Sequence, residues 1–354
     1  MRMKEIIRGA IVYCRKESLG KKWAVACQGR SLDYQMFDIS SSSFFSDLDA
    51  YKPDIVLTRP PGNIELDKTL FDEKTYVLSK VKGYFLFPSY EETLVYENKK
   101  MLSYHLEAWK LPHPQTKVFY SMEELKGFAS TTQYPVVVKS SIGASGTGVH
   151  IIRTQKQLSS YAQKAFSSKG ISVRIGPNRN TGSIIKWLKK AISNPQYAKE
   201  RVADYKAIAD NRPKRYVITQ EYIPHDFEWR AVKIGDSYFA HRKTKDGDKC
   251  SGTKGIDYVN PPLSLLEFVK KTCDSLGFNS VAIDLFEAQG IYLINEIQTI
   301  FGHVQDHILE VEGKPGRYLY QEGRWVFEEG MFNSNESYDL RLEVALKLYG
   351  QGKL

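Results

Sequence analysis

The sequence predicts a mixed α/β protein, and three observations lead to that expectation. Over residues 1–95, apolar β-branched runs alternate with helical stretches. From residue 136 onward, pairs of strands joined by glycine-containing turns are predicted on either side of a basic segment, 155–215, that contains two helical stretches. The 354-residue chain has 42% hydrophobic and 26% charged side chains, which is ordinary globular composition and is enough for two or three domains.

The N-terminal pattern is typical of an open sheet covered by helices. Strands are predicted at 9–13, 34–38 and 53–58, and a helical stretch follows Leu66. Arg59 comes directly after the third strand, where open α/β sheets usually bind ligands. It is either a contact for a carboxylate or phosphate or an ordinary residue of a proline-rich turn.

The positive charge of the chain is concentrated in one segment. Residues 164–215 carry 13 Lys or Arg against 3 Asp or Glu, whereas the remaining residues carry 37 against 38. An anionic substrate, a glycan or nucleic acid would suit this basic segment, and so would a solvated basic face. Net charge by itself does not choose between these partners.

Cysteine and hydropathy patterns predict a cytoplasmic protein. Four cysteines (Cys14, Cys27, Cys250 and Cys273) have neither disulfide-like nor zinc-like spacing, which favours reduced thiols, and the seven histidines form no metal-ligand pattern. No apolar run approaches the length of a membrane span, and the chain opens with no signal-peptide pattern. The pattern does not fix the oligomeric state.

A hairpin near residue 290 collects oxygen ligands. Strands are predicted at 281–286 and 291–297, and a three-residue turn would place Asp284 diagonal to Glu296 on one face. Gln298 shares the face of Glu296, because side chains alternate along a strand. Carboxylate and amide oxygens are the ligands that Mg²⁺ prefers. An amphipathic hairpin with solvated acids is the alternative.

A glycine-rich loop follows the strand 136–139. It runs from residue 140 to 148 and leads into another strand at 149–152, so neither a P-loop nor a dinucleotide-binding turn is present. Backbone N–H groups of such a loop can surround phosphate oxygens, and a plain flexible turn has the same composition.

Taken in order, these motifs resemble the ATP-grasp superfamily, most closely its glutathione synthetase and α-L-glutamate ligase branch, over about residues 98–302. A Lys opens a helix ending in Leu-Pro, a second Lys precedes the glycine-rich hairpin, a Gln-Glu-Tyr-Ile strand precedes Glu-x-Arg, and an Asp precedes Glu-x-Gln. The resemblance implies an ATP-grasp fold preceded by a Rossmann-like domain. Its expected divisions are a pre-ATP-grasp domain (1–95), a small lid domain containing the basic insertion (96–222), and a large domain with the metal site and tail (223–354).

The resemblance also implies a set of nucleotide contacts. Lys99 and Lys139 would meet phosphates as point charges. The expected phosphate lid comprises Ser145, Gly146, Thr147 and Gly148. The expected adenine-binding linker comprises Gln220, Glu221, Tyr222 and Ile223, with Glu228 near the ribose.

Catalytic and metal roles follow from the same resemblance. Arg230 and Arg242 would hold the transferred phosphate and a substrate carboxylate, a task suited to a bidentate guanidinium. Asp284, Glu296 and Gln298 would hold one or two Mg²⁺ ions, or Mn²⁺, that bridge the phosphates. Asn98 stands where an Asp often precedes the first Lys, and Gln298 replaces the usual Asn.

The activity implied is ATP-dependent carboxylate–amine ligation through an acyl phosphate, with small-molecule or peptide substrates. Two other functions stay open at this point. One is a kinase of the same fold that phosphorylates a hydroxyl group. The other is a module in which residues 164–215 grip a polyanion and ATP regulates the binding.

Overall fold

A computed structural model of the chain describes residues 7–143, 148–171, 189, 192–246, 249–250, 255–303 and 305–352. The chain divides into two compact units. The first comprises Met1–Pro61, Asp67–Pro114 and Ile223–Leu354, and the second comprises Gly62–Leu66 and Gln115–Tyr222. In the structure, the N-terminal and C-terminal thirds of the chain therefore share one unit.

The first unit contains a four-stranded parallel sheet of order β2-β1-β3-β4. Its strands are β1 (Arg8–Tyr13), β2 (Asp33–Asp38), β3 (Ile55–Thr58) and β4 (Leu86–Phe87). The accompanying helices are α1 (Lys21–Gly29), α2 (Phe44–Tyr51), α3 (Glu65–Tyr76) and α4 (Tyr90–Val95). Strand β3 is buried along its whole length, as expected for a parallel sheet covered by helices. The predicted α/β layer is confirmed.

The same unit contains an antiparallel sheet, in which the described residues form nine strands around the order β14-β13-β9-β10-β16-β15. The strands are β9 (Phe227–Ile234), β10 (Ser237–Asp246), β11 (Lys249–Cys250), β12 (Ile256–Asp257), β13 (Ser280–Ala288), β14 (Ile291–Gln298), β15 (Glu310–Val311), β16 (Lys314–Gln321) and β17 (Arg324–Glu329). The helices are α5 (Lys99–Ala108), α9 (Leu263–Leu276) and α10 (Tyr338–Gly350). One hydrophobic core joins side chains from this sheet, its helices and the parallel sheet.

The β9–β10 hairpin turns at Gly235-Asp236, as the sequence predicts. Gly235 has φ +57°, and a Cβ atom there would lie 2.5 Å from the side chain of Val344, so the turn requires glycine.

The turn between β13 and β14 differs from the expectation. Ala288 pairs with Ile291, so the turn has two residues, Gln289 and Gly290, both with positive φ. Such a turn matches the twist of the flanking strands better than a three-residue loop. The register then shifts by one residue between Asp284 and Leu285.

The second unit contains a four-stranded antiparallel sheet of order β5-β8-β6-β7. Its strands are β5 (Thr116–Phe119), β6 (Val136–Lys139), β7 (Val149–Ile152) and β8 (Val217–Glu221). Its helices are α6 (Met122–Thr131), α7 (Gln155–Ala165) and α8 (Pro195–Asp210). Strand β8 is shorter than the predicted 216–223, and the helix predicted at 183–192 lies mostly outside the described residues.

A search of the described helices for one that is long and apolar enough to cross a membrane finds none.

Candidate active site

A row of polar side chains crosses the antiparallel sheet of the first unit. Its members are paired directly across four neighbouring strands: His241 on β10, Arg230 on β9, Asp284 on β13 and Glu296 on β14. Directly paired residues of antiparallel strands project from the same face. One face of the sheet therefore carries a cation between an imidazole and two carboxylates.

The β-bulge in β14 completes this row. Leu285 pairs with Ile294, whereas Asp284 pairs with Glu296, so Asn295 is an extra residue in β14. Without the bulge, Asp284 would face Asn295. The two predicted carboxylates are thus direct neighbours and not the diagonal pair that a three-residue turn would give.

Asp284 is held by two cations. The Nε and Nη2 atoms of Arg230 donate to its two carboxylate oxygens at 2.8 and 2.9 Å, and Lys243 Nζ donates to Oδ2 at 2.7 Å. Burial by itself would raise the pKa of Asp284, but the two cations outweigh it and hold the pKa below its usual range. Asp284 is therefore an anion at neutral pH.

Lys243 is a site residue that the sequence reasoning missed. Its buried Nζ lies 2.7 Å from Asp284 Oδ2 and 2.6 Å from Glu228 Oε2, so it joins two acids. The register of the β9–β10 hairpin predicts this contact with Glu228, because a two-residue turn at Gly235-Asp236 places Lys243 directly opposite Glu228.

Lys99, at the start of α5, contacts a different pair of acids. The Asn98 side chain caps this helix by accepting a hydrogen bond from the Met101 N–H at 3.1 Å. Lys99 Nζ lies 3.0 Å from Glu296 Oε1 and 3.6 Å from Glu97 Oε2. Burial lowers the pKa of Lys99, but the two carboxylates raise it more, so the ammonium stays charged.

Glu97 is the second missed residue. Gln298 Nε2 donates to its Oε1 at 3.2 Å, although 201 positions separate the two residues. Glu97 is buried and has φ +49°, a left-handed conformation that costs free energy for any residue except glycine. Burial raises the pKa of Glu97 to about 7, Lys99 lowers it and Glu296 raises it. No sequence pattern links this side chain to the hairpin.

The donor set fits the chemistry of Mg²⁺. Asp284 is paired with Glu296, Gln298 lies two residues further along the same face, and its amide contacts Glu97. Hard divalent cations bind such oxygens. Within the described part of the chain, Glu97 Oε2 is buried and accepts no hydrogen bond, and the Lys99 ammonium lies 3.6 Å from it. Such an oxygen is stabilised by a cation. Both oxygens of Asp284 bind Arg230 and Lys243 in this structure, so its use as a ligand requires one of those bonds to exchange.

The structure does not bring Arg242 to this face. Arg242 pairs with Trp229, one residue out of step with Arg230, so it projects from the opposite face. Its guanidinium lies over the rings of Phe227 and Trp229, with its central carbon 4.2 and 4.8 Å from the centroids. Arg230 and Arg242 therefore lie on opposite faces of the sheet, and the substrate contact expected of Arg242 stays a prediction.

Several of the residues predicted to contact the nucleotide lie in the second unit. Lys139 ends β6 and is buried, and the register of β6 and β8 places it on the same face as Gln220. Gln220 Nε2 donates to Thr116 Oγ1 at 3.1 Å, and the Glu221 N–H donates to the Gln115 carbonyl at 2.8 Å. These bonds fix the end of β8.

The loop between β6 and β7 is partly described. The Ser140 N–H donates to the Gly148 carbonyl at 2.8 Å, which closes the hairpin below the glycine-rich tip. Ser145, Gly146 and Thr147 lie outside the described residues. Tyr222 and Ile223 follow β8, and the division between the two units falls between them.

The described residues form a parallel α/β sheet, an antiparallel sheet with facing carboxylates, and a four-stranded sheet with a lysine before a glycine-rich hairpin. These are the elements that the ATP-grasp resemblance leads us to expect. The resemblance to the ATP-grasp superfamily is confirmed, because residues 99–176 match the family model described as "Carbamoyl-phosphate synthase L chain, ATP binding domain".

A curated relative with significant sequence similarity is the carbamoyl phosphate synthase large chain of Clostridium beijerinckii, 21% identical over 318 residues. The match covers 86% of this chain and 26% of the relative, so the chain spans about a quarter of that protein's length.

Several solved structures share the fold. D-alanine–D-alanine ligase from Bacillus anthracis superposes with a TM-score of 0.52 at 12% identity, covering 98% of this chain and 99% of that one. Carboxyaminoimidazole ribonucleotide synthase from Aspergillus clavatus, complexed with ATP, gives 0.55 at 12% identity, covering 96% and 77%. A RimK domain ATP-grasp protein from Sphaerobacter thermophilus gives 0.50 at 14% identity, covering 82% and 90%. At these identities the likeness concerns the fold.

Proposed function

We propose that the protein is an ATP-dependent carboxylate–amine ligase that works through an acyl phosphate. The observation that carries the proposal is the cluster of opposite charges on one face of the antiparallel sheet. It combines three cations with four carboxylates: Lys99, Arg230 and Lys243 with Glu97, Glu228, Asp284 and Glu296. Phosphoryl transfer needs this combination, because cations must neutralise phosphate charge while acids hold a metal.

The cations of the cluster are oriented before a substrate arrives. Asp284 fixes the guanidinium of Arg230 through two hydrogen bonds, and it also holds Lys243. Preorganised charges stabilise a transition state at little reorganisation cost. Arg230 and Lys243 would stabilise the transferred phosphoryl group, and Lys99 would act as a point charge on a nucleotide phosphate.

When bound, Mg²⁺ neutralises phosphate charge, and Asp284, Glu296 and Gln298 would hold it, with Glu97 as a further acid close by. The other nucleotide contacts remain those that the resemblance implies. They are Lys139, the loop 145–148, the linker 220–223 and Glu228.

The reaction proceeds in two steps. A carboxylate oxygen of the substrate attacks the γ-phosphorus, the bond to the bridging oxygen breaks, and ADP leaves. An amine nitrogen then attacks the acyl carbon, phosphate departs and the amine loses a proton. No protein nucleophile takes part, so the protein's role is to position and to neutralise charge.

Release of ADP tests the proposal. With Mg²⁺ and ATP, a panel of carboxylates paired with amines should contain at least one pair that gives ADP and phosphate in equal amounts. Hydroxylamine in place of the amine should trap a hydroxamate, which only an acyl phosphate yields. Phosphorylation of a hydroxyl substrate without hydroxamate would contradict the proposal and identify a kinase.

The variant Glu296→Ala should lose this activity by about 100-fold or more, because the site loses a predicted metal ligand and the partner of Lys99. Glu267→Gln is the matched control, since it removes an acid from an exposed ion pair with Lys271. Full ADP release by the Glu296 variant would contradict the assigned metal site.

A further inference from the structure

Three donor atoms of different chemical types converge beside the proposed nucleotide site. Nitrogen, oxygen and sulfur atoms of His225, Glu228 and Cys250 lie within 4.8 Å of one another. These residues come from the segment after β8, from β9 and from β11, and their sequence spacing has no metal-site pattern. We infer that this cluster binds a transition-metal ion of the Zn²⁺ or Co²⁺ type, distinct from the Mg²⁺ of the active site.

The imidazole of His225 is already arranged as a ligand. Its Nδ1 lies 2.7 Å from the carbonyl oxygen of Ile223, and because a carbonyl only accepts, Nδ1 carries the proton. The lone pair is therefore on Nε2. Only 9% of the side chain is exposed, Nε2 is buried, and it has no hydrogen-bond partner within the ranges that the structure describes. A backbone carbonyl that orients a metal-binding histidine in this way is a common feature of metal sites.

An aromatic ring and a carboxylate lie next to the imidazole. The centroid of Phe286 lies 4.6 Å from the centroid of the His225 ring. The Nε2 atom lies 3.8 Å from Glu228 Oε1, which is too long for a hydrogen bond. In a tetrahedral zinc site, nitrogen and oxygen ligands are about 3.4 Å apart, so a closure of a few tenths of an ångström would let both bind one ion.

In this structure the two carboxylate oxygens of Glu228 have different neighbours. Oε2 accepts from Lys243 at 2.6 Å, and Oε1 is the atom that approaches His225. The charge of Lys243 is shared with Asp284, which lies 2.7 Å from the same ammonium. Oε1 is therefore the Glu228 oxygen that faces the proposed ion.

Cys250 supplies the ligand that determines the class of metal. Its half-buried position leaves a route to solvent. Burial raises the pKa of its thiol to about 11, so the thiol is poorly activated as a nucleophile. On metal binding the sulfur loses its proton to solvent and forms a metal–sulfur bond. Imidazole and thiolate favour Zn²⁺ or Co²⁺ over Mg²⁺, and three protein ligands leave one position for water.

Cobalt spectroscopy on the full-length, metal-stripped protein tests the inference without relying on ligase activity. One equivalent of Co²⁺ should produce a thiolate-to-cobalt charge-transfer band and the visible bands of a tetrahedral ion, and one equivalent of Zn²⁺ should remove both. Excess Mg²⁺ should leave them unchanged. Absence of the charge-transfer band in the wild-type protein would overturn the proposal.

Variants assign the ligands. Cys250→Ser should abolish the charge-transfer band, and both it and His225→Gln should weaken Co²⁺ binding by at least about 100-fold, more than loss of an outer-shell partner costs. His113→Gln is the matched control, because the His113 Nδ1 makes the same 2.7 Å bond to the carbonyl of Leu111. A band that persists in Cys250→Ser, or equal losses in the two histidine variants, would overturn the assignment.

Discussion

At the residue scale, two cations of the candidate site, Arg230 and Lys243, are held by Asp284. Arg230 and Lys243 are largely buried and share its two oxygens, so each is neutralised within hydrogen-bonding distance. A buried ion pair is not by itself a source of stability, because desolvation offsets the attraction. Removal of only one partner of a buried ion pair is destabilising, because the other charge then remains uncompensated in the protein interior.

Asp284→Asn should therefore lower the free energy of unfolding by about 3–5 kcal/mol. Chemical denaturation at pH 7 measures this change. Asp274→Asn is the control, because its pair with Lys270 is exposed and should contribute less than about 1 kcal/mol. The depressed pKa of Asp284 means that its contribution is present above about pH 4 and is lost as the pH falls further. Equal effects of the two variants would refute this account.

Buried histidines give a second pH dependence. His241 is fully buried, and burial, then the neighbouring His303, lower its pKa to about 3. The unfolded state binds the proton more tightly, so stability is fully present above about pH 6.5 and falls toward pH 3.

His241→Asn should remove part of this dependence, because an amide side chain does not titrate in this pH range. The amide can still donate to the Ile308 carbonyl, which His241 contacts at 2.9 Å. Between pH 6.5 and 5, the wild-type protein should lose about 2 kcal/mol more stability than the variant. Urea titrations at several pH values measure the difference, with His113→Asn at a partly exposed position as the control. Parallel pH profiles for the wild type and the His241 variant would contradict the prediction.

At the element scale, hairpin geometry decides which side chains meet. In the β13–β14 hairpin, a two-residue turn sets one register, and the bulge at Asn295 shifts it by one residue. The shift pairs the predicted metal ligands Asp284 and Glu296 with each other. In the β6–β7 hairpin, close packing of Gly148 against Ser140 determines how the two strands meet. A Cβ atom at Gly148 would lie 2.6 Å from the Cβ of Ser140, so only glycine allows this closure.

Gly148→Ala should destabilise the second unit by about 1–3 kcal/mol, because the added methyl group forces the hairpin apart. Gly127→Ala is the control within the same unit. Gly127 lies inside α6 with no atom within 4 Å of an added Cβ, so this change should stabilise by about 0.5–1 kcal/mol. Denaturation followed by hydrogen exchange in this unit measures both changes. A neutral or stabilising Gly148 variant would show that the hairpin tolerates a wider closure.

At the scale of the whole molecule, the fold places the proposed ligands on distant parts of the chain. Glu97, Lys99 and the β13–β14 hairpin belong to one unit although more than half of the sequence separates them. A ligand that binds only the folded state stabilises it in proportion to the logarithm of its concentration.

Mg²⁺ with a non-hydrolysable ATP analogue at about 100 times its Kd should add about 2.7 kcal/mol of stability. This corresponds to a rise in Tm of roughly 3–5 °C for a chain of 354 residues, measurable by calorimetry. EDTA should reduce the rise, and Lys99→Gln should abolish most of it, whereas Lys271→Gln at an exposed site should leave it unchanged. A Tm that does not respond to the nucleotide would contradict the proposed function.

The sequence by itself determined the local elements and their order. Alternating β-branched runs predicted β1 and β3, Gly235-Asp236 predicted the β9–β10 turn, and the ordered motifs predicted the ATP-grasp fold. These features depend on side-chain periodicity and turn chemistry, which act over a few residues and are therefore readable from the sequence.

Only the tertiary structure decided which charges meet. It joined Glu97 to Gln298, placed Lys243 between two acids and put Arg242 on the opposite face from Arg230. It also brought His225 and Cys250 to Glu228, although their spacing in the sequence predicts no metal site. The physical reason is that strand register, a bulge and long-range packing set these distances, and a one-residue shift in register moves every side chain to the other face.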